Sequence, residues 1–180
     1  MRVGFAPAHA PGFEPVEGES RTNRAVAQVA QLFLRSLGID SDVSESGKPH
    51  EEALFLADYD IPISLHHGHG AESFKVRVHT RTRKSKLLAS AICFRMKKAF
   101  RSSAEVERFS DKATPLFKKA PHALVVYSGL IENDADVMAE AWAMALAIQW
   151  VRRRRARRHQ PSASENTNFL TASPPSLNSA

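Results

Sequence analysis

Two spacings of apolar residues alternate along the first 151 positions. Short runs or period-two alternations occur at Arg2–Ala6, Ile39–Val43, Ile61–Leu65, Phe74–His79 and His122–Tyr127, and they predict strands. Between them, helical spacing predicts helices over Arg24–Leu37, with Gly38 as the stop, over Glu51–Ala57 and over Lys84–Phe100. A long last helix runs through Val151, capped by Asp134 or Asp136, with Trp142 and Trp150 expected on its core side. The near-continuous apolar run ending at Tyr127 reads as a sheet centre covered on both faces. Pro62 is a mild objection to the Ile61 strand, because proline supplies no ladder N–H. Phe74, Val76 and Val78 alternate with Lys75, Arg77 and His79, which predicts a strand with one basic, wet face. Ser102–Lys119 is polar and mixed and reads as loop with short helical pieces. A first strand, a polar loop and a helix together make an α/β opening.

Composition narrows the class without deciding the chemistry. With 180 residues, 43% hydrophobic and 24% charged, the chain has the makeup of one soluble globular domain. Residues 1–157 are assigned to that domain and 158–180, rich in Ser, Asn, Pro, Ala and Thr, to a disordered tail. The single cysteine, Cys93, excludes a disulfide framework and is expected to be a packed core thiol. No signal core or cleavage site follows Met1 and no run approaches a membrane span, so the expectation is a monomer, cytoplasmic as synthesised.

The net charge of +6 is local. Residues 1–151 hold 19 Lys/Arg against 18 Asp/Glu, whereas Arg152–Arg158 contains six arginines. One or two cations suffice to complement a helix C-terminus. Six point to an anionic polymer, and an envelope surface is favoured over nucleic acid because no groove-entering element is visible.

Candidate chemistry concentrates in Ile61-Pro62-Ile63-Ser64-Leu65-His66-His67-Gly68-His69-Gly70, an apolar run that ends in three histidines. His9, Glu19 and His66 follow predicted strands, and in an open α/β sheet such segments converge at one edge. Two histidines and one carboxylate, with water in the fourth position, make up a hydrolytic zinc site.

Several short motifs then occur in a telling order. Ala8-His9-Ala10-Pro11-Gly12 precedes Glu19-Ser20-Arg21-Thr22-Asn23. Ala57 to Asp60 leads into Ser64-Leu65-His66, followed by Ser85-Lys86-Leu87-Leu88-Ala89 and Tyr127-Ser128-Gly129-Leu130-Ile131-Glu132-Asn133. Over roughly residues 2–155 this order resembles the zinc-dependent N-acetylmuramoyl-L-alanine amidases, which cleave peptidoglycan. That family has a His-Gly loop, a Glu followed four residues later by Asn, an Ala-x-x-Asp segment, a Ser-x-His strand, a Ser-x-x-Leu-Ala helix and a closing Glu-x-Gly-Phe-x-x-Asn.

The resemblance implies a single-domain three-layer αβα fold around a mixed, mostly parallel sheet, zinc ligands at His9, Glu19 and His66, and amide hydrolysis of the endolysin type. Such a lysin acts on the cell wall once released. Two features depart from the family. The loop between His9 and Glu19 is short and lacks Gly-Gly, and the catalytic glutamate falls on Tyr127. Tyrosine, with a pKa near 10, is a poor base at neutral pH but can donate to an oxyanion. Glu132 is the candidate replacement carboxylate. Tyr127 has a packing role as its plainer reading. His67 and His69 are expected behind the ligand shell or in solvent, since only His66 fits the family position. The alternatives are an N-formylglutamate amidohydrolase-like zinc enzyme acting on a small amide, although that family's Asp-x-Asn-Arg region has no match, and a catalytically impaired peptidoglycan-binding pseudoenzyme.

Overall fold

A computed structural model describes residues 1–9, 17–68, 76–101, 103–108, 115–129, 131 and 133–158. The chain runs β1 (Arg2–Pro7), α1 (Glu19–Ser36), β2 (Asp40–Val43), α2 (Pro49–Ala57), β3 (Ile61–His67) and β4 (Val76–Thr80). It continues through α3 (Arg83–Phe100), β5 (Ala104–Arg108), α4 (Pro115–Lys119), β6 (Leu124–Ser128) and α5 (Asp134–Arg158). Six strands form one sheet in the order β2-β1-β3-β6-β4-β5. β2, β1, β3 and β6 are parallel, while β4 runs antiparallel to β6 and carries β5 parallel to itself. The fold is the expected three-layer α/β arrangement with a mixed, mostly parallel sheet.

Period two decides the layers. Val3, Phe5, Ile61, Ile63, Leu65, Leu124 and Val126 share one core with α1, α3 and α5, and Ala6 and Val125 share another with α2 and α4. After β1 the chain turns to one side through α1 to reach β2. It then returns across β1 through α2 to reach β3, so the order reverses between β1 and β3. At such a reversal the carboxyl ends of neighbouring strands splay their connections apart and leave a crevice.

Several boundaries differ from the sequence reading for identifiable reasons. α1 begins at Glu19, five residues before Arg24, with Gly18 in the left-handed region at φ 82°. Its first turn is polar and buried, through Glu19, Ser20 and Asn23, so the apolar period starts late. β3 extends through His67 and lies between β1 and β6. Pro62 is tolerated there because pairing with β6 starts only at Ile63 opposite Leu124. β5 was hidden in the segment assigned to loop: Ala104 and Val106 pack on the main core while glutamates alternate with them.

Asn133, and neither Asp134 nor Asp136, caps α5. Its Oδ1 accepts from the Asp136 N–H at 2.9 Å, and its Nδ2 donates to Asp136 Oδ2 at 2.8 Å. Trp142 and Trp150 are not on the core side of α5, since each is 40% exposed. Small residues, Ala141, Ala143, Ala145 and Ala147, take the buried positions and let α1 and α3 pack closely, leaving the indoles on the flanks. Trp142 meets Phe33 edge-on at 4.8 Å, and Arg154 lies over Trp150. On β4, Val78 and Thr80 are buried. Phe74, Lys75 and the side chains of Arg77 and His79 lie outside the described residues, as does the tail beyond Arg158. Cys93 is a core thiol as expected, buried against the Glu105 carbonyl, with burial pushing its pKa up to about 12.

Candidate metal centre

His9, Glu19 and His66 meet at the β1/β3 reversal, at the carboxyl ends of the strands. Each comes from a different element. His9 follows β1 and bends the chain out of the sheet with φ 65°. Glu19 lies in the first turn of α1, where the positive end of the helix dipole favours a carboxylate. His66 is inside β3, one residue past Leu65 and therefore on the opposite face from the main core.

The geometry suits one small cation. His9 Nε2 is 3.7 Å and His66 Nδ1 3.6 Å from Glu19 Oε1, and one ligand atom from each of the three residues fits within a mutual 4.8 Å. Donor atoms around a tetrahedral zinc at ordinary bond lengths lie ~3.3 Å apart, so each imidazole needs to approach Glu19 by only a few tenths of an ångström, and the widest pair, at up to 4.8 Å, by more. The Glu19 side chain is fully buried, and both imidazoles are partly exposed on its outer side. Desolvation, the largest influence, lowers the pKa of His66 despite the hydrogen bond it donates to Glu19, which raises it. A neutral ring with a free lone pair is the form a metal requires. Ser64, two residues back on the same strand face, approaches His66 Nε2 at 3.4 Å and leaves Nδ1 aimed at Glu19.

Comparison with solved structures places this arrangement in context. The catalytic domain of CwlV, an N-acetylmuramoyl-L-alanine amidase from Bacillus (Paenibacillus) polymyxa var. colistinus, superposes with TM-score 0.70 at 13% identity. The match covers 84% of this chain and 98% of that one. The fold is that of the N-acetylmuramoyl-L-alanine amidase domains. AmiC2 of Nostoc punctiforme gives TM-score 0.68 at 12% identity over 85% and 97% of the two chains. The catalytic domain of the CD27L endolysin targeting Clostridia difficile gives 0.62 at 18% over 82% and 96%. No protein-family model matches the chain, and no curated protein does.

Within this amidase fold Tyr127 stands beside His66, as their strand register requires. Their rings stack with centroids 4.7 Å apart and planes 26° from parallel. Burial, and then the nearby Glu19 charge, raises the Tyr127 pKa, so the phenol keeps its proton across the neutral range. Tyr127 also packs on the smaller core beneath α2 and α4, so its packing and site positions coincide. Glu132 and His69 lie outside the described residues.

Of the two places expected for His67, the structure takes the one behind the candidate ligands. Because side chains alternate along β3, His67 points away from His66 into the interior and is 1% exposed. Nδ1 meets Asn23 Oδ1 at 2.6 Å and Nε2 meets Glu140 Oε2 at 3.2 Å. Glu140, on α5, was missed altogether. Its signal was present, since it occupies the helix stripe continued by Met144, Ile148 and Val151, all fully buried. An acid on a core stripe needs partners.

Proposed function

We propose that this chain is a zinc amidohydrolase that cleaves the amide between N-acetylmuramic acid and L-alanine in peptidoglycan. The carrying observation is the His9–Glu19–His66 set at the strand reversal of an amidase fold. His9, Glu19 and His66 would hold zinc, which when bound would acidify a water and polarise the amide carbonyl. The chain's own groups do the rest. His66 offers its Nδ1 lone pair, Glu19 supplies the neutralising charge, and the Tyr127 hydroxyl, holding its proton, donates to the developing oxyanion. Glu132 is proposed as the carboxylate that moves the proton to the leaving amine.

Zinc stoichiometry of the purified protein, followed by digestion of purified peptidoglycan with detection of new L-alanine amino termini, tests the reading. We expect one zinc per chain and amide cleavage that stops with chelator, returns with zinc and weakens in Glu132→Gln. A wild-type protein without zinc removes the enzyme reading, and cleavage of N-formylglutamate in place of peptidoglycan redirects it to a small amide.

One observation favours a second reading. A protonated, stacked phenol occupies the place where the resemblance expects a base, which suits a metal-binding peptidoglycan module that has lost turnover.

For the partner surface we propose an anionic envelope layer bound by the arginine run. Arg152, Arg153, Arg154 and Arg157 are exposed, and Arg154 stacks on the half-exposed Trp150, a pairing suited to headgroup depth. No helix among the described residues is long and apolar enough to cross a membrane. Action on the wall after release, as a lysin, is the corresponding proposal.

A further inference from the structure

Behind the candidate metal set lies a second, fully buried row of polar side chains. Asn23 Nδ2 donates to the Ala8 carbonyl at 2.7 Å. That turns Asn23 Oδ1 toward His67, so Nδ1 of His67 is the donor in their 2.6 Å contact. His67 Nε2 then faces Glu140 Oε2 at 3.2 Å, and Glu140 Oε1 accepts from Ser128 Oγ at 2.8 Å. Asn23 and Glu140 are fully buried, and His67 and Ser128 are 1% and 2% exposed.

The row is in step with the site. Ala8 precedes His9, Asn23 is one helical turn after Glu19, His67 follows His66, and Ser128 follows Tyr127. Each residue at the tip thus has a neighbour on its own backbone held by this chain of bonds, with Glu140 as the anchor on α5. Two main-chain bonds add to it, from Ala8 N–H to the Leu65 carbonyl and from Gly68 N–H to the Ser128 carbonyl, both 3.1 Å.

Stability alone does not account for the row. Burying a carboxylate and an imidazole costs desolvation, and apolar residues of the same volume are often equally stabilising or more so. What apolar packing does not supply is direction, whereas hydrogen bonds define distance and angle along the whole chain. A metal set drawn from three elements, with no ligand pair on one helix, depends on such directional support.

We infer that Asn23, His67, Glu140 and Ser128 form a positioning relay that sets the mutual placement of His9, Glu19, His66 and Tyr127, acting through the backbone and without touching metal or substrate. This rests on reading the tip as a metal site. It identifies His67 and Glu140 as residues that tune metal affinity and geometry from the opposite face of the sheet.

The test uses the full chain and its Glu140→Gln and Ser128→Ala variants, with folding checked by circular dichroism. Zinc affinity is measured by competition with a chromogenic chelator, and coordination geometry by the visible absorption of the Co2+-loaded protein. Glu140→Gln is expected to weaken zinc binding by ~10–100-fold, the range found for groups that orient ligands, and to shift the Co2+ bands. Ser128→Ala, which removes one terminal bond, is expected to lose less than Glu140→Gln in the same direction, and it decides the matter if Glu140→Gln does not fold. Folded variants with wild-type zinc affinity and an unchanged Co2+ spectrum overturn the relay while leaving the metal site standing. A wild-type chain that binds neither metal overturns both.

Discussion

The two faces of β3 at its carboxyl end make a controlled comparison. His66 and His67 are adjacent in the chain and identical in chemistry, yet one joins a set whose imidazoles stand 3.6–3.7 Å from the Glu19 carboxylate, and the other a row bonded at 2.6–3.2 Å. The first face is spaced to receive something between its members, whereas the second is already closed on itself. The difference comes from neighbours, with the parity of the strand choosing which histidine meets which. It teaches that a histidine's role is set by the face it occupies.

The largest expected effect concerns catalysis on the open face. Tyr127→Glu places a carboxylate beside His66, where the proposed reaction calls for a base. General acid–base assistance contributes about 10²–10⁴-fold, and turnover on peptidoglycan should rise by that order if the tip is a complete zinc site. An unchanged rate would show that the proton is moved from elsewhere, Glu132 being the first residue to examine.

Next comes stability on the closed face. Glu140→Ala breaks a buried, hydrogen-bonded pair and should cost about 3–5 kcal/mol in denaturant unfolding, whereas His66→Ala, on the partly exposed face, should cost under about 1 kcal/mol while abolishing stoichiometric zinc. Equal stability losses in the two variants would erase the distinction between the faces.

Much of this molecule was legible beforehand. Strand and helix periods located β1, β3, β6 and all but the ends of α1, α3 and α5, and the order of motifs singled out His9, Glu19 and His66. The failures share a cause. The start of α1, the polar row and Glu140 are places where polar side chains occupy interior positions, so apolar periodicity falls silent where the site begins. β5 was missed for a different reason, being short and carrying alternate glutamates, as a protected edge strand does.

A smaller effect separates burial from partnering. Glu52 on α2 is 6% exposed, and its Oε1 has no hydrogen-bond partner among the described residues. Burial raises its pKa to about 8 from 4.5, against a smaller lowering by Arg24. Because the folded pKa lies above the unfolded one, its contribution to stability is fully present below about pH 4.5 and is lost as the pH rises through 8. Unfolding free energy should therefore fall across that window, by a few kcal/mol in all, at up to ~1.4 kcal/mol per pH unit. Glu52→Gln should flatten this dependence, and a slope unchanged by the substitution would refute the assignment.

The smallest effect per residue lies outside the comparison and sharpens it by contrast. Each arginine removed from the Arg152–Arg157 stretch should weaken binding to anionic vesicles by ~1 kcal/mol at low ionic strength, fading with added salt, with the zinc content unaltered. A vesicle affinity indifferent to both salt and these substitutions would exclude the surface.

The sequence by itself determined the α/β class and the approximate elements and singled out His9, Glu19, His66 and Tyr127 as residues to follow, because periodicity and short motifs are local properties of the chain. Only the tertiary structure decided that His67 faces inward, that Asn133 caps α5, and that Glu140 joins Ser128 and Asn23 behind His9, Glu19 and His66. Those assignments depend on strand register and on side chains 44 and 73 residues apart in the chain meeting around one imidazole.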